Sequence, residues 1–210
     1  MINKERINSP QKTARVAAFV FLIIFFLGMS TELSIRPGMI VPGDAAATVE
    51  NVAASEVLFR LSLVSDLIRQ VLLVLLPLVL YKLLKPVNKT IASLMVIFAL
   101  VSVPISMLNE LNHFAVLLLS SGADYLTAFK ADQLNALVMF FLELRKYGTF
   151  IPQVLSFWIL LLGYLVFKSG FLPRILGVLL MLGGLCYTVS AVLFFLFPNF
   201  DAMILSSQSY

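Results

Sequence analysis

VLLVLLPLVLYKLLKPVNKTIASLMVIFAL, residues 71–100, decides the fold. An apolar run passes into Lys82, Lys85, Pro86, Asn88 and Lys89 and then resumes, which predicts two apolar helices meeting at a short basic turn. A helix rises about 1.5 Å per residue, so a bilayer core of ~30 Å takes about 20 apolar residues. Traced outward, the run before the turn starts near Ser55 and the run after it ends near Leu119, and each is long enough to cross. Three further stretches meet the same test. The whole reads as all-α, a polytopic transmembrane helix bundle with spans at about 14–34, 55–84, 88–119, 132–167 and 175–197.

This organises the chain into an N-terminal segment 1–13, a single transmembrane helical domain 14–200 and a tail 201–210. A basic start before an apolar run also describes a signal peptide. Here the run continues through Glu32 to Ile35 without a small-residue cleavage site, which favours an uncleaved first span. Pro37-Gly38 and Pro42-Gly43 forbid a continuous helix after it, and Asp44 can cap an alanine-rich turn, so a compact loop is expected. The fourth stretch is too long to cross upright, and its first turns are expected at or beyond the interface. Lys168 to Arg174 is a tight turn, and Pro198-Asn199 stops the last span.

Composition excludes a water-soluble fold. The chain is 60% hydrophobic and 12% charged with a mean hydropathy of +1.00, whereas a soluble domain carries roughly a quarter charged residues. The net charge of +4 is no sign of nucleic acid, because the basic residues gather at the ends of apolar runs. Lys4, Arg6, Lys12, Arg15, Lys82, Lys85, Lys89, Lys168 and Arg174 fall on one side and only Arg36 and Lys130 on the other. The positive-inside rule then puts the N-terminus in the cytoplasm and Tyr210 outside. Cys186 is the only cysteine and His113 the only histidine, so neither an intramolecular disulfide nor a CxxC site can form. Zinc would rest largely on carboxylates, which it uses less readily than imidazole or thiolate. No metal and no cofactor is expected.

Polar residues inside the spans are the informative exceptions. Ser55, Ser62, Asp66 and Arg69 share one face of the second span, with Asp66 and Arg69 close enough to pair. Ser102, Ser106, Asn109 and His113 share a face of the third, with Glu110 beside it. In the fourth, Glu143, Lys146, Phe150 and Gln153 form a further stripe, while Glu143, Arg145 and Lys146 lie nearer the surface, where long side chains snorkel. Counted along the helices, Arg69 lies ~20 Å and Asp66 ~24 Å from the Lys82 level, Glu110 ~31 Å from Lys89 and Glu32 ~25 Å from Arg15. They converge in the outer half of the membrane. A charge at mid-membrane costs about 2.5 to 3.5 kcal/mol and is tolerated when paired or hydrated, so an inward-facing network is expected. Its candidate residues are Glu32, Asp66, Arg69, Ser106, Asn109, Glu110, His113 and Glu143. Pro77, Pro104 and Pro152 interrupt three helices beside it. Gly177, Met181, Gly184, Thr188 and Ala191 form a small-residue stripe in the last span that reads as an internal packing seam.

Such a network either holds helices together or binds a small ligand, a lipid head group or an ion. Five helices are few for a monomeric transporter, so transport would require a homo-oligomer. Partners are then membrane lipids, a small ligand or ion and other copies of the chain, with no nucleic acid. One alternative is an intramembrane hydrolase using Ser106 or Ser102 with His113 and Glu110 or Asp66, although no Gly-x-Ser-x-Gly or His-Glu-x-x-His string supports it. Another is a structural membrane-assembly partner.

Several strings together resemble a family of bacterial membrane proteins known as a domain of unknown function, DUF4386. They are Val41-Pro-Gly-Asp-Ala-Ala-Ala47, Lys85-Pro-Val-Asn88, Tyr147-Gly148, Gly163-Tyr164 and Ser169-Gly-Phe-Leu-Pro-Arg-Ile-Leu-Gly177. The likeness runs from Ala14 to Phe200. It implies a multi-pass protein of the bacterial cell (inner) membrane and supplies no activity. Members of the family carry histidine where this chain has Arg145 and Trp158, so a metal or proton site using those positions would be altered here. Many continue past the position of Tyr210 with a further apolar segment, so the resemblance implies that this chain is a six-span family member lacking its last helix, which would return the C-terminus to the cytoplasm.

Overall fold

The computed structural model describes residues 4–35, 38–41 and 43–197. Arg36, Pro37, Pro42, the Pro198-Asn199 stop and the tail lie outside the described residues. Helix α1 (Lys4–Met29) runs into a π-helical turn (Ser30–Ile35), followed by α2 (Ala45–Ala54), α3 (Glu56–Leu84), α4 (Lys89–Leu119), a 3₁₀ turn (Asp124–Ala128), α5 (Ala131–Val154), α6 (Phe157–Ser169) and α7 (Arg174–Leu196). There is no strand among the described residues. Among the described residues, five helical stretches are long and apolar enough to cross a membrane: Gln11–Glu32, Glu56–Leu84, Lys89–Leu119, Ala131–Ser169 and Arg174–Leu196. The all-α architecture expected from the apolar runs is the one observed.

The fourth stretch differs from a continuous helix over 132–167. Pro152 has no N–H to give to the preceding turn. Two residues later α5 gives way to 3₁₀-type bonds, Ser156 N–H to the Gln153 carbonyl at 3.0 Å and Ile159 N–H to the Ser156 carbonyl at 2.9 Å, before α6 resumes.

The chain forms two compact units, residues 1–76 with 104–149, and residues 77–103 with 150–210. The divisions fall at Pro77, at Pro104 and close to Pro152.

In the first unit Phe59 of α3, Val116 and Leu117 of α4, and Val138 and Leu142 of α5 make a buried core, joined by Met39 and by Val52 of α2. The connector between the first two spans is therefore built into the fold. Asp44 caps α2, its Oδ1 accepting from Ala47 N–H at 2.9 Å, and Gly43 takes the left-handed φ of +81° that the turn requires. Thr48 Oγ1 accepts from Val41 N–H at 3.0 Å and donates to the Asp44 carbonyl at 2.8 Å. Helix α1 buries only 6% of its apolar window and exposes Phe19, Leu22, Phe25 and Phe26, the surface of a helix solvated by lipid.

In the second unit α6 and α7 touch backbone to backbone. A Cβ added at Gly177 would lie 2.6 Å from Phe167 N, one at Gly184 2.7 Å from Leu160 N, and one at Gly163 2.6 Å from Met181 N. The small-residue stripe of the last span is thus filled by α6, the close approach that glycine permits between membrane helices. Trp158 is buried in α6. Gln153 Nε2 ties the end of α5 to α7, donating to the Tyr187 carbonyl at 2.9 Å and Ser190 Oγ at 2.8 Å, and Phe150 stacks on Phe194 with centroids 3.7 Å apart.

Candidate functional site

Within the first unit three helices turn polar faces to one another. On α3 the buried residues Phe59, Ser62, Asp66 and Gln70 follow at helical spacing, on α4 Glu110 and His113 stand three apart, and on α5 Val138, Leu142 and Arg145 share a face. Exposure is 2% at Asp66, 2% at His113, 6% at Glu110 and 7% at Arg145. Water cannot solvate charges held so deeply, so they solvate one another.

Arg145 is the hub. Its Nη2 donates to Asp66 Oδ2 at 2.8 Å and to Glu110 Oε1 and Oε2 at 3.1 and 3.2 Å. Asp66 Oδ1 accepts from Arg69 Nη2 at 3.2 Å and Nε at 3.3 Å. Every carboxylate oxygen is accounted for, and two guanidiniums balance two carboxylates. Arg69 is the most open member, with its side chain 28% exposed, and its stem lies by α1: a Cβ on Gly28 would sit 3.7 Å from Arg69 Cδ.

Asn109 fastens α4 to α5 at the same level. Its Nδ2 donates to the Arg145 carbonyl at 2.9 Å and to Thr149 Oγ1 at 3.3 Å, and Oδ1 accepts from Asn112 Nδ2 at 3.0 Å. Gly148 lets this amide in, because a Cβ there would overlap it, lying 2.7 Å from Asn109 Cγ.

His113 has a polar neighbour at each ring nitrogen. Glu110 Oε2 is 3.4 Å from Nδ1 and Ser62 Oγ is 3.4 Å from Nε2, while the Phe59 ring meets the imidazole edge to face at 4.2 Å. Ser62 Oγ itself donates to the Phe59 carbonyl at 2.7 Å. Asp66, Glu110 and His113 each offer a metal-ligand atom, all within 4.8 Å of one another, and the Arg145 guanidinium lies against the two carboxylates.

Of the residues singled out in the sequence, Asp66, Arg69, Glu110 and His113 come together and Asn109 stands at their edge. Ser106 is half-buried one turn earlier on α4, Glu32 is exposed, and Glu143 is exposed together with Lys146. The stripe of α5 that faces inward is offset from the one through Glu143. Its polar member is Arg145, which the sequence reading left at the surface. The signal was the apolar pair Val138 and Leu142, at i and i+4, with Arg145 at i+7.

Apolar spans closed around a buried set of paired charges are the mark of an integral membrane protein, since only helices satisfy their own backbone in lipid and only paired charges persist there. Within that class the chain belongs to the family described as domain of unknown function (DUF4386), whose model matches residues 16–208. No curated protein and no solved structure matches the chain.

Proposed function

We propose that this is a non-enzymatic multi-pass protein of the bacterial inner membrane, N-terminus cytoplasmic, in which the Asp66–Arg145–Glu110 centre is an interhelical lock that a small ligand or ion acts upon. The observation that carries this is Arg145 Nη2 lying 2.8 Å from a carboxylate on α3 and 3.1 Å from a carboxylate on α4. One side chain of α5 thereby holds two other helices. Breaking a buried pair leaves an uncompensated charge and costs about 3 to 5 kcal/mol. A ligand competing for these charges would loosen three helices at once, which is how a local binding event becomes a change of the bundle. Lipids meet the exposed apolar faces, transport would call for association of several copies, and the basic residues serve as membrane anchors, with no role for nucleic acid.

The same contacts weigh against the hydrolase alternative. Ser62, His113 and Glu110 stand in the order of a nucleophile, a base and its orienter. The Ser62 hydroxyl is closer to the Phe59 carbonyl, at 2.7 Å, than to His113, at 3.4 Å, so its proton is not held by the base.

The lock is tested by charge balance. Arg145→Gln leaves Glu110 without a guanidinium, whereas Glu110→Gln with Arg145→Gln removes one charge of each sign and keeps Asp66 paired to Arg69. In detergent and with chelator present, the single variant is expected to unfold at clearly lower temperature and the double variant to recover part of the loss. A coupling of about 1 to 3 kcal/mol is the scale for groups in one network. Additive losses would reject the lock.

A further inference from the structure

Ser62 determines which nitrogen of His113 carries a proton. The serine hydroxyl has one hydrogen, and the carbonyl of Phe59 at 2.7 Å takes it. Oγ is then an acceptor toward the ring, so Nε2, 3.4 Å away, must be the N–H. A neutral imidazole has a single N–H, which leaves a lone pair on Nδ1. That lone pair faces Glu110 Oε2, another acceptor, at 3.4 Å. Two buried acceptors facing each other are unfavourable without a shared cation, which is a second ring proton in an imidazolium–Glu110 pair or a metal ion beside the neutral ring.

A metal ion fits this pair. Bonds of about 2.1 Å in tetrahedral geometry separate two ligand atoms by about 3.4 Å, the spacing that Nδ1 and Oε2 already have. Asp66 supplies a third ligand, the three lying within 4.8 Å, so a small closing movement completes the set. One turn along α3 on the same face as Asp66, Gln70 Oε1 is buried and accepts no hydrogen bond, a further oxygen in want of a cation or a donor. Metal-bound histidines have the other ring nitrogen held by a hydrogen bond that fixes the tautomer, which is the place of Ser62 here.

We propose that Asp66, Glu110 and Nδ1 of His113 form a binding site for a divalent first-row transition metal, with Arg145 as the internal cation that competes for the same carboxylates. Imidazole with carboxylates suits zinc, iron or manganese, and three protein ligands leave a position open for water or a substrate oxygen. Two carboxylates and a neutral imidazole balance a divalent ion without a guanidinium, so metal entry requires Arg145 to turn away and hands the charge of Arg69, the more open of the two arginines, to its surroundings. The metal would be the ion that acts on the lock, and this part rests on that reading; the site itself does not.

The test uses the full chain in detergent with cobalt(II) as the probe. Tetrahedral cobalt absorbs in the visible, and because His113 is the only histidine its ring ¹⁵N signals report tautomer and metal directly. One cobalt per chain is expected, displaced by zinc, with Nδ1 rather than Nε2 shifted. Asp66→Asn or His113→Ala should abolish binding, and Ser62→Ala should weaken it by about 10- to 100-fold, as for other partners of ligating histidines. Arg145→Gln should tighten it by tenfold or more in order of magnitude, because the competent state no longer competes with a guanidinium. Should that variant not fold, Arg145→Lys keeps the charge without the two-carboxylate fork and is expected to tighten binding less. The proposal is overturned if wild type and both arginine variants bind no cobalt, if binding survives His113→Ala, or if His113 shows two ring N–H groups indifferent to metal. Metal binding without the Glu110–Arg145 coupling would reject the lock alone, and coupling without metal binding would reject the metal site alone.

Discussion

Gly148 and Asn109 show how narrowly a single side chain sets the centre. The Asn109 amide donates to the backbone carbonyl of Arg145, and the space it uses is the space a Cβ at residue 148 would fill, 2.7 Å from Asn109 Cγ. Gly148→Ala should therefore expel the amide and cost about 1 to 3 kcal/mol, the range for overpacking, while the Arg145 carbonyl keeps its bond from Thr149 Oγ1 at 3.0 Å. In an Asn109→Ala background the same substitution should cost little, and thermal unfolding of the four proteins checks it. Equal losses in both backgrounds would mean that the amide is not what the glycine admits. At this scale the sequence was readable wherever a charge stood deep within an apolar span, as Asp66 and Glu110 do. Arg145 was not, because Glu143 and Lys146 beside it give the whole run the look of a membrane border where long side chains snorkel. What separates them is angle. Val138 and Leu142 point the α5 core face at Arg145, and the same rotation turns Glu143 outward.

Among the elements, the helices could be drawn from the apolar runs because a bilayer sets a minimum length that few other structures require. The break between α5 and α6 could not. Proline in a membrane helix bends it or ends it according to whether neighbours satisfy the freed carbonyls, and that is a tertiary matter. The α6–α7 seam was visible as a stripe through Gly177 and Gly184, and helical spacing put Gly184 rather than the adjacent Gly183 on the contact face. A Cβ at Gly184 meets backbone at 2.7 Å, whereas one at Gly183 meets nothing within 4 Å. Gly184→Ala should accordingly destabilise by about 1 to 3 kcal/mol, since backbone cannot yield as a side chain does. Gly183→Ala should be neutral or should gain up to about 1 kcal/mol from helix propensity. Opposite outcomes at neighbouring positions, read from melting in detergent, are the signature. Matched losses would place the seam elsewhere on α7.

At the scale of the whole molecule, the proposed orientation rests on charge. The turn after α3 carries Lys82, Lys85 and Lys89 and the turn before α7 carries Lys168 and Arg174, while the connectors before α2 and before α5 carry one basic residue each, Arg36 and Lys130. Basic residues in short connectors resist translocation, so the proposed orientation keeps the first pair of turns in the cytoplasm and faces the connector containing α2 outward. Cys186 is the only cysteine and is exposed, so its replacement by serine gives a background in which single cysteines report side. Ala46→Cys on the exposed face of α2 leaves the Asp44 cap in place, and Lys85→Cys marks the turn after α3. A membrane-impermeant maleimide should label the first in intact cells and the second only after the membrane is opened. The reverse pattern would invert the protein while keeping its spans. Labelling of both from one face would mean that α3 does not cross, and with that the depth at which Asp66 and Arg145 meet would lose its basis.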